Sequence, residues 1–333
     1  MEGLINVIVN RDNLNKAFEK VRKNKGAAGV DAKDIEATRQ YLKENNTQII
    51  EMIKTGKYKP QPVRRVEIPK PDGGKRLLGI PTVTDRVIQQ AVVQVLTPIL
   101  DPMFSNYSYG FRPNKSAHQA IEQARSYIED GYKFVVDIDL EKFFDRVQHD
   151  KLMSLMAKYI LCKPTLKLIR SFLNAGTMID GTFIYSKEGT PQGGPLSPLL
   201  SNVILHELDK ELEKRNHKFV RYADDCNIYV KSEKAGERVK EGVTAFIEKK
   251  LKLKVNEEKS AVGKPIARVF LGVSFYNARG VIRVYVPKKS KKRFEEKLKY
   301  ITNRNYSIDM ESRIQKINYL IQGWGNYFKV ADI

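Results

Sequence analysis

Residues 219–230 read FVRYADDCNIYV, two short apolar runs on either side of Ala223-Asp224-Asp225. Short runs rich in β-branched and aromatic residues are typical of strands, and the brief connection between them predicts a hairpin. Such a hairpin would carry both acids at its tip. Asp-Asp in a hairpin is often only a turn, so the pair becomes informative through its company elsewhere in the chain.

A third acid follows another apolar strand. Phe134 to Ile138 is a short apolar run, and Asp139 comes directly after it. Clustered carboxylates cost several kcal/mol unless cations compensate them, and an oxygen-rich site of this kind suits Mg²⁺. Two such ions, about 3.5–4 Å apart, can clamp both reacting oxygens in phosphoryl transfer. Asp137 lies one strand period before Asp139, on the same face of the sheet, and remains an alternative ligand.

The overall charge points to a polyanionic partner. The 333 residues include 59 Lys and Arg against 39 Asp and Glu, a formal net charge of +20. Nucleic acid is the first candidate for such a partner and an anionic membrane surface the second, while a basic surface kept for solubility is the alternative. The length favours two or three subdomains.

Cysteine usage and hydropathy bear on the compartment. Cys162 and Cys226 lack the spacing of a zinc site, and we expect reduced thiols in a cytoplasmic protein. Apolar stretches such as 91–100 fall far short of the roughly 20 residues that span a bilayer. The N-terminus lacks a basic start followed by an apolar run, so we expect neither a secretory signal nor a membrane partner.

Periodicity predicts a mixture of helices and antiparallel strands. Expected helices are residues 11–25, 34–54, 82–98, 116–129, a helix beginning at Ser197, 234–251, and 288 to the end. Expected strand pairs are 63–68 with 75–78 around Asp72-Gly73-Gly74, the two arms of 177–186, the two arms of 219–230, and 268–276 with 281–286. Hairpins without a regular βαβ rhythm favour the α+β class, and neither GxGxxG nor a phosphate-binding P-loop occurs.

The motifs around the acids resemble those of reverse transcriptases, and the accompanying motifs resemble the group II intron branch. Residues 221–225 (RYADD) look like the core motif of this family. The other resemblances are to the first palm motif in 135–145 (VVDIDLEKFFD), the segment between the two in 189–198 (GTPQGGPLSP), the motif after the palm in 269–273 (VFLGV), finger motifs in 68–76 (IPKPDGGKR) and 108–113 (SYGFRP), the N-terminal helix with its loop 26–31, and a thumb signature in 323–328 (GWGNYF).

The resemblance implies roles at the metal site. Asp139 and Asp224 would bind two Mg²⁺ ions, for which Mn²⁺ is a substitute. The Leu140 carbonyl would be a backbone ligand, and Asp225 a weaker ligand that tunes the site.

It also implies a nucleotide site. Lys70 and Arg76 would grip the incoming triphosphate, and an exposed hairpin edge is the alternative for both. Gln192 would lie near the nucleotide and the template base. The neighbouring Gly193 and Gly194 would let the backbone approach the substrate.

Two further residues would complete that site. Phe144 resembles the aromatic gate that excludes a 2′-hydroxyl, while Phe143 is expected in the core. Lys259 aligns with a lysine that protonates departing pyrophosphate, although a surface lysine is the alternative. The histidines at 118, 149, 206 and 217 lack a hydrolase-like arrangement and are expected to be structural or at the surface.

The expected architecture is a right-hand polymerase. An N-terminal extension would cover 1–60, fingers 61–130 with part of 150–190, an antiparallel-sheet palm 131–286, and a partial α-helical thumb 287–333. The implied reaction is RNA-templated addition of dNTPs to a primer 3′-hydroxyl, with a DNA or RNA primer. Group II intron RNA would be a further partner for splicing and retrohoming, and a homodimer is compatible with the sequence.

Two other functions remain open. One is a non-enzymatic splicing factor that binds intron RNA on a polymerase fold, and the other is a reverse transcriptase of another bacterial, defence-associated system. A full group II protein would continue beyond the thumb signature into the rest of its maturase domain, whereas this sequence extends five residues past Phe328.

Overall fold

The computed structural model describes residues 3–69, 74–179, 181–185, 188–190 and 193–332, with the side chain of Arg76 left aside. Its helices are α1 (Leu4–Ile8), α2 (Arg11–Lys23), α3 (Ile35–Lys54), α4 (Val83–Leu100), α5 (Ala117–Glu129), α6 (Phe143–Arg146), α7 (His149–Tyr159), α8 (Lys163–Leu173), α9 (Ser197–Lys214), α10 (Glu233–Phe246), α11 (Lys288–Thr302) and α12 (Met310–Phe328). A π-helical turn, Ile247–Leu251, continues α10.

The strands form three sheets. They are β1 (Val63–Pro69), β2 (Lys75–Ile80), β3 (Phe134–Ile138), β4 (Thr177–Ile179), β5 (Thr182–Ile184), β6 (Lys218–Tyr222), β7 (Asp225–Val230), β8 (Ala261–Gly263), β9 (Ser274–Ala278) and β10 (Val281–Tyr285). Their orders are β2-β1-β4-β5, β6-β7-β3-β8 and β10-β9. All described pairs are antiparallel except β1 with β4, which is parallel.

The chain divides into two compact units. The first unit comprises Met1–Ser105, Leu140–Glu211 and Ala245–Val255, and the second comprises Asn106–Asp139, Leu212–Thr244 and Asn256–Ile333.

Helix α4 organises the first unit because its N-terminal two-thirds is almost entirely buried. Thr82 caps it by accepting a hydrogen bond from the Asp85 backbone at 3.1 Å. The Asp85 carboxylate turns inward and accepts from the hydroxyls of Tyr58 (2.8 Å) and Thr82 (2.7 Å). Arg86 donates to the Ala27 carbonyl at 2.5 Å, and this bond fastens the 26–31 loop to α4.

The second unit is built on the sheet β6-β7-β3-β8. Its core joins α5, this sheet and the β9–β10 pair through thirteen buried residues: Tyr109, Ala120, Ile121, Ala124, Tyr127, Val135, Val220, Tyr229, Phe270, Val273, Phe275, Ile282 and Val284. After α12 the chain returns to this core. Asp332 accepts from the Val284 backbone at 2.7 Å and donates to its carbonyl at 2.8 Å.

Several sequence expectations are confirmed and others are wrong. The strands around the acids and the helices near 11–25, 34–54 and 116–129 are confirmed within a few residues. Pro98 does not end α4, because its missing N–H removes one bond near the end of the helix and the last turn still forms. The strand expected at 268–276 begins only at Ser274, since Leu271 and Gly272 have φ of 48° and 80° and make a tight turn.

The basic C-terminal segment is also interrupted, at residues 303–309 between α11 and α12. Helices α7 and α8 were not expected. Among the described histidines, ring nitrogens of His118 and His149 bond to the carbonyls of Tyr327 (2.6 Å) and Gly189 (2.7 Å), in line with a structural role. Both cysteines are buried and free. In the described part of the chain, every helix is too short or too polar to cross a bilayer.

Candidate active site

The acid-bearing hairpin is formed by β6 and β7. Tyr222 pairs with Asp225, so Ala223 and Asp224 form the tip. Ala223 has a left-handed φ of 57°, which is unfavourable for a residue with a Cβ. Arg221, fully buried, donates from Nη1 to the Ala223 carbonyl at 2.9 Å and braces this conformation.

A second segment supports the hairpin from its edge. The Tyr109 backbone donates to the Arg221 carbonyl at 2.8 Å, and the Arg221 backbone donates to the Tyr107 carbonyl at 2.9 Å. Gly110 then packs against the backbone of Ala223. The SYGFRP segment of the sequence therefore lies in the second unit, beside the acids.

Asp139 reaches the same place from β3. The β3–β7 register pairs Asp137 with Asn227 and Ile138 with Cys226. One further step of that register sets Asp139 opposite Asp225, and residues that are opposite in an antiparallel pair share a face of the sheet.

The turn at residues 256–260 forms two hydrogen bonds with the backbone of Asp139. The Asp139 N–H donates to Ser260 Oγ at 2.9 Å, and the Asn256 N–H donates to the Asp139 carbonyl at 2.8 Å. These bonds fix the end of β3, so the direction of the Asp139 side chain is set by the Asn256–Ser260 turn.

Electrostatics confirm that the acids are close neighbours. Asp225 is exposed at the surface, yet the surrounding protein displaces part of the hydration of its carboxylate. This partial burial, followed by the charges of Asp224, Asp137 and Asp139, raises the pKa of Asp225 to about 7. Four carboxylates thus repel one another at one place, and a bound cation would relieve the repulsion.

Asp137 has a cationic partner. Arg268 Nη1 lies 3.7 Å from Asp137 Oδ2. Burial raises the pKa of Asp137, the charge of Arg268 lowers it, and Asp139 raises it, with a net upward shift. The pairing with Arg268 offsets part of the charge of Asp137.

The carboxylate oxygens of this site suit magnesium rather than a metal whose ligands are all protein side chains. Within the described residues, no three His, Cys, Asp or Glu side chains converge into a preformed cage. Mg²⁺ is commonly held by one or two carboxylates, with water and substrate phosphates completing its shell. The cluster of carboxylates offers oxygen ligands of this kind.

Leu140 and Phe144 belong to the first unit. Leu140 is buried and forms a bridge with Val255. Phe143 is 3% exposed, which confirms the expectation that it lies in the core, whereas Phe144 is half-buried with its ring 5.1 Å from that of Phe143. The accessible ring of the pair is therefore Phe144.

The two glycines after Gln192 contact protein atoms. A Cβ on Gly193 would lie 2.7 Å from the Gly79 carbonyl oxygen, and one on Gly194 would overlap Gln89 Oε1. Gly193 thus has to be small because the Gly79 carbonyl adjoins it, whereas Gly194 adjoins the end of a glutamine side chain.

Four other candidates remain, of which the described residues include only Arg76 and Lys259. Lys70 and Gln192 lie outside the described residues. Arg76 pairs with Ile68 in the backbone of β2, and its side chain is not described. Lys259 is exposed on the turn that clasps Asp139, where its N–H donates to Asn256 Oδ1 at 3.3 Å.

Sequence reasoning missed the residues that hold the acids. Arg268, Ser260, Asn256 and Gly110 all act through tertiary contacts. Ser260 and Asn256 lie in the same segment as Lys259, and Gly110 lies in the finger motif 108–113. The available sequence signal for these three residues was that each lies close in sequence to a candidate. Arg268 carried none.

Comparisons with known proteins agree with this geometry. Residues 68–275 match the family described as reverse transcriptase (RNA-dependent DNA polymerase), and residues 291–333 match the group II intron, maturase-specific domain. The chain is 33% identical to group II intron-encoded protein LtrA of Lactococcus lactis subsp. cremoris, over 74% of this chain and 52% of that protein. It is 32% identical to protein YkfC of Escherichia coli (strain K12), over 79% of each.

The chain thus spans about half the length of the Lactococcus relative. Among solved structures, telomerase from Candida albicans in complex with a fragment of telomeric RNA matches with a TM-score of 0.55 and 14% identity, over 87% of this chain and 58% of that one. At this identity the likeness concerns the fold alone, and it confirms the right-hand polymerase fold. The chain therefore belongs to the reverse transcriptase family, in its group II intron-encoded maturase branch.

Proposed function

We propose that the chain is an RNA-directed DNA polymerase that adds dNTPs to a primer 3′-hydroxyl. The observation that carries the proposal is the placement of Asp225 and Asp139 opposite each other in an antiparallel sheet, next to Asp224 at the hairpin tip, where partial burial and then the charges of the neighbouring acids raise the pKa of Asp225. Family membership supports the reaction type.

In this proposal Asp139 and Asp224 hold two Mg²⁺ ions, or Mn²⁺ as a substitute, with the Leu140 carbonyl as a backbone ligand. When bound, the ions would lower the pKa of the primer hydroxyl and offset the charge that builds on the transferred phosphoryl group. Asp225 keeps the local field negative, which favours cation binding. Ser260 and Asn256 hold the Asp139 backbone, so its carboxylate is preorganised.

The same proposal assigns the incoming nucleotide to the remaining candidates. Lys70 and Arg76 contact the triphosphate, and Gln192 lies by the base. Phe144 excludes a 2′-hydroxyl, because an apolar ring occupies its space and cannot hydrogen-bond to it. Lys259 donates a proton to pyrophosphate. Its exposed position, on the turn that hydrogen-bonds to the Asp139 backbone, is compatible with that role.

We further propose that intron RNA is a partner and that the chain takes part in splicing and retrohoming. Helices α11 and α12 are exposed and α11 is rich in lysine, which suits contacts with phosphates. In this view the chain comprises an N-terminal extension (1–60), fingers (61–130 with part of 150–190), a palm (131–286) and part of a thumb (287–333).

A primer-extension assay on an RNA template with Mg²⁺ tests the polymerase proposal. Asp224→Asn should abolish dNTP incorporation while circular dichroism and the melting temperature stay near those of the wild type. Glu237→Gln, at an exposed acid on α10 outside the cluster, serves as the matched control. Normal copying of RNA by Asp224→Asn would overturn the assignment.

A non-enzymatic splicing factor is the second candidate, and the maturase-specific match at residues 291–333 favours it. It predicts binding of intron RNA without dNTP incorporation by the wild type. The same purified protein, assayed for both properties, separates the two candidates.

A further inference from the structure

A tight turn connects the C-terminal helices with the acid cluster. Phe270 and Val273 bond to each other through both of their backbone groups, at 2.9 and 3.0 Å, with Leu271 and Gly272 between them. Both central residues have positive φ, 48° and 80°. A turn with two left-handed residues is demanding for a leucine, so contacts from outside must help to hold it.

Those contacts are two hydroxyl groups from two different helices. Tyr327 of α12 donates from its hydroxyl to the Leu271 carbonyl at 2.7 Å. Ser290 of α11, which is buried, donates to the next carbonyl, that of Gly272, at 2.8 Å. The Phe328 ring also packs against the turn, 3.6 Å from the position that a Cβ on Gly272 would take.

The other end of the same segment reaches the carboxylates. Ser274 follows the turn and donates to the Arg268 carbonyl at 2.6 Å. Arg268 in turn places its guanidinium 3.7 Å from Asp137, the acid beside Asp139 on β3. Residues 268–274 thus form one hydrogen-bonded piece, with the helices at one end and the acid cluster at the other.

We propose that Tyr327 and Ser290 are positioning residues that latch α11 and α12 to the acid cluster through this segment, an inference that rests on the proposed polymerase function. These two hydrogen bonds, here called the latch, fix the position from which Arg268 pairs with Asp137. Asp137 then stays paired with Arg268 and leaves the metal-binding role to its neighbours. Movement of the helices would reach the acids through the hydrogen bonds of residues 268–274 and the ion pair between Arg268 and Asp137.

Conservative variants test the latch. Tyr327→Phe removes one hydroxyl and keeps the ring, and it should lower kcat for primer extension about fivefold, the factor expected for one hydrogen bond. The dissociation constant for primer–template should stay within about twofold, because the outer surfaces of the helices are unchanged. Ser290→Ala should act in the same direction. The matched control is Tyr319→Phe, on the same helix but 64% exposed.

A double-mutant cycle distinguishes a latch from a merely structural contact. If the coupling runs through residues 268–274, the combined loss in Tyr327→Phe with Arg268→Gln should be clearly smaller than the product of the single losses. Multiplicative losses, or an unchanged kcat in Tyr327→Phe, would overturn the latch. A wild-type protein that extends no primer would instead overturn the polymerase proposal.

Discussion

Gly110 lies so close to Ala223 that a Cβ on the glycine would overlap the Ala223 backbone nitrogen. The contact matters because Ala223 already adopts a left-handed conformation at the tip that carries Asp224. The close contact of the glycine and the strained conformation of the alanine therefore both determine where Asp224 lies.

Gly110→Ala should displace the hairpin tip. Overpacking at such a site destabilises a protein by about 1–3 kcal/mol, and we expect primer extension to fall at least about tenfold. Melting curves and single-turnover extension measure the two effects. Gly323→Ala is the control, since a Cβ there meets no atom within 4 Å. Full activity in Gly110→Ala would contradict the proposed coupling.

The raised pKa of Asp225 has a consequence for stability. Because the folded-state pKa of about 7 exceeds the unfolded value of about 3.9, the folded metal-free protein keeps this proton over a pH range in which the unfolded chain has lost it, so stability falls as the pH rises from about 4 through about 7. Asp225→Asn should therefore raise the melting temperature of the metal-free protein strongly at pH 8 and clearly less at pH 5. Added Mg²⁺ should narrow the difference at pH 8. An equal effect at both pH values would argue against the shift.

The two adjacent phenylalanines should have separable roles. Phe144→Ala should increase ribonucleotide incorporation relative to dNTP incorporation, measured as the ratio of the two kcat/KM values, because space opens beside the sugar. Phe143→Leu should leave that ratio unchanged and lower the melting temperature, since Phe143 is buried. Unchanged discrimination in Phe144→Ala would move the gate to another residue.

The basic face of α11 should make nucleic-acid binding depend on salt. Lys289 and Arg293 are one helical turn apart and both exposed. Replacing both with alanine should weaken primer–template binding and reduce the slope of log K against log salt by about 0.7–0.9 for each phosphate that the protein no longer neutralises. Lys249 and Lys250, replaced together, provide the control with equal charge removed. An unaltered slope in the α11 variant would exclude that surface from the interface.

Local patterns predicted the parts of the site that are local. Strand β3, the β6–β7 hairpin and the acids at their ends follow from residues within a few positions of one another. The parallel pairing of β1 with β4 could not be predicted, because it joins distant segments of only a few residues. The turn at Leu271 was read as a strand, since its left-handed conformation is held by hydroxyls from helices much later in the chain.

The ion pair between Arg268 and Asp137 could not be predicted either, because the two residues are far apart in the sequence. Asp137 and Asp139 are equivalent in the sequence, one strand period apart on one face. Arg268 distinguishes them in space, and its distance along the chain hides this from any local pattern. For Gly193 and Gly194 the sequence likewise cannot show that Gly79 and Gln89 lie next to them, and the approach of a substrate to this backbone stays a prediction.

The two hydroxyl contacts to the Leu271–Gly272 turn span 18 and 56 residues of sequence. Contacts of such separation form late in folding, since a long loop must close before they can be made. The sheet that carries the acids needs still longer loops to close, because β3 pairs with β7 and β8 from positions farther apart in the sequence than either hydroxyl and its carbonyl. The helices and the β6–β7 hairpin form from near neighbours. Refolding should therefore restore helical structure first, and catalytic competence should return only in a later and slower kinetic phase.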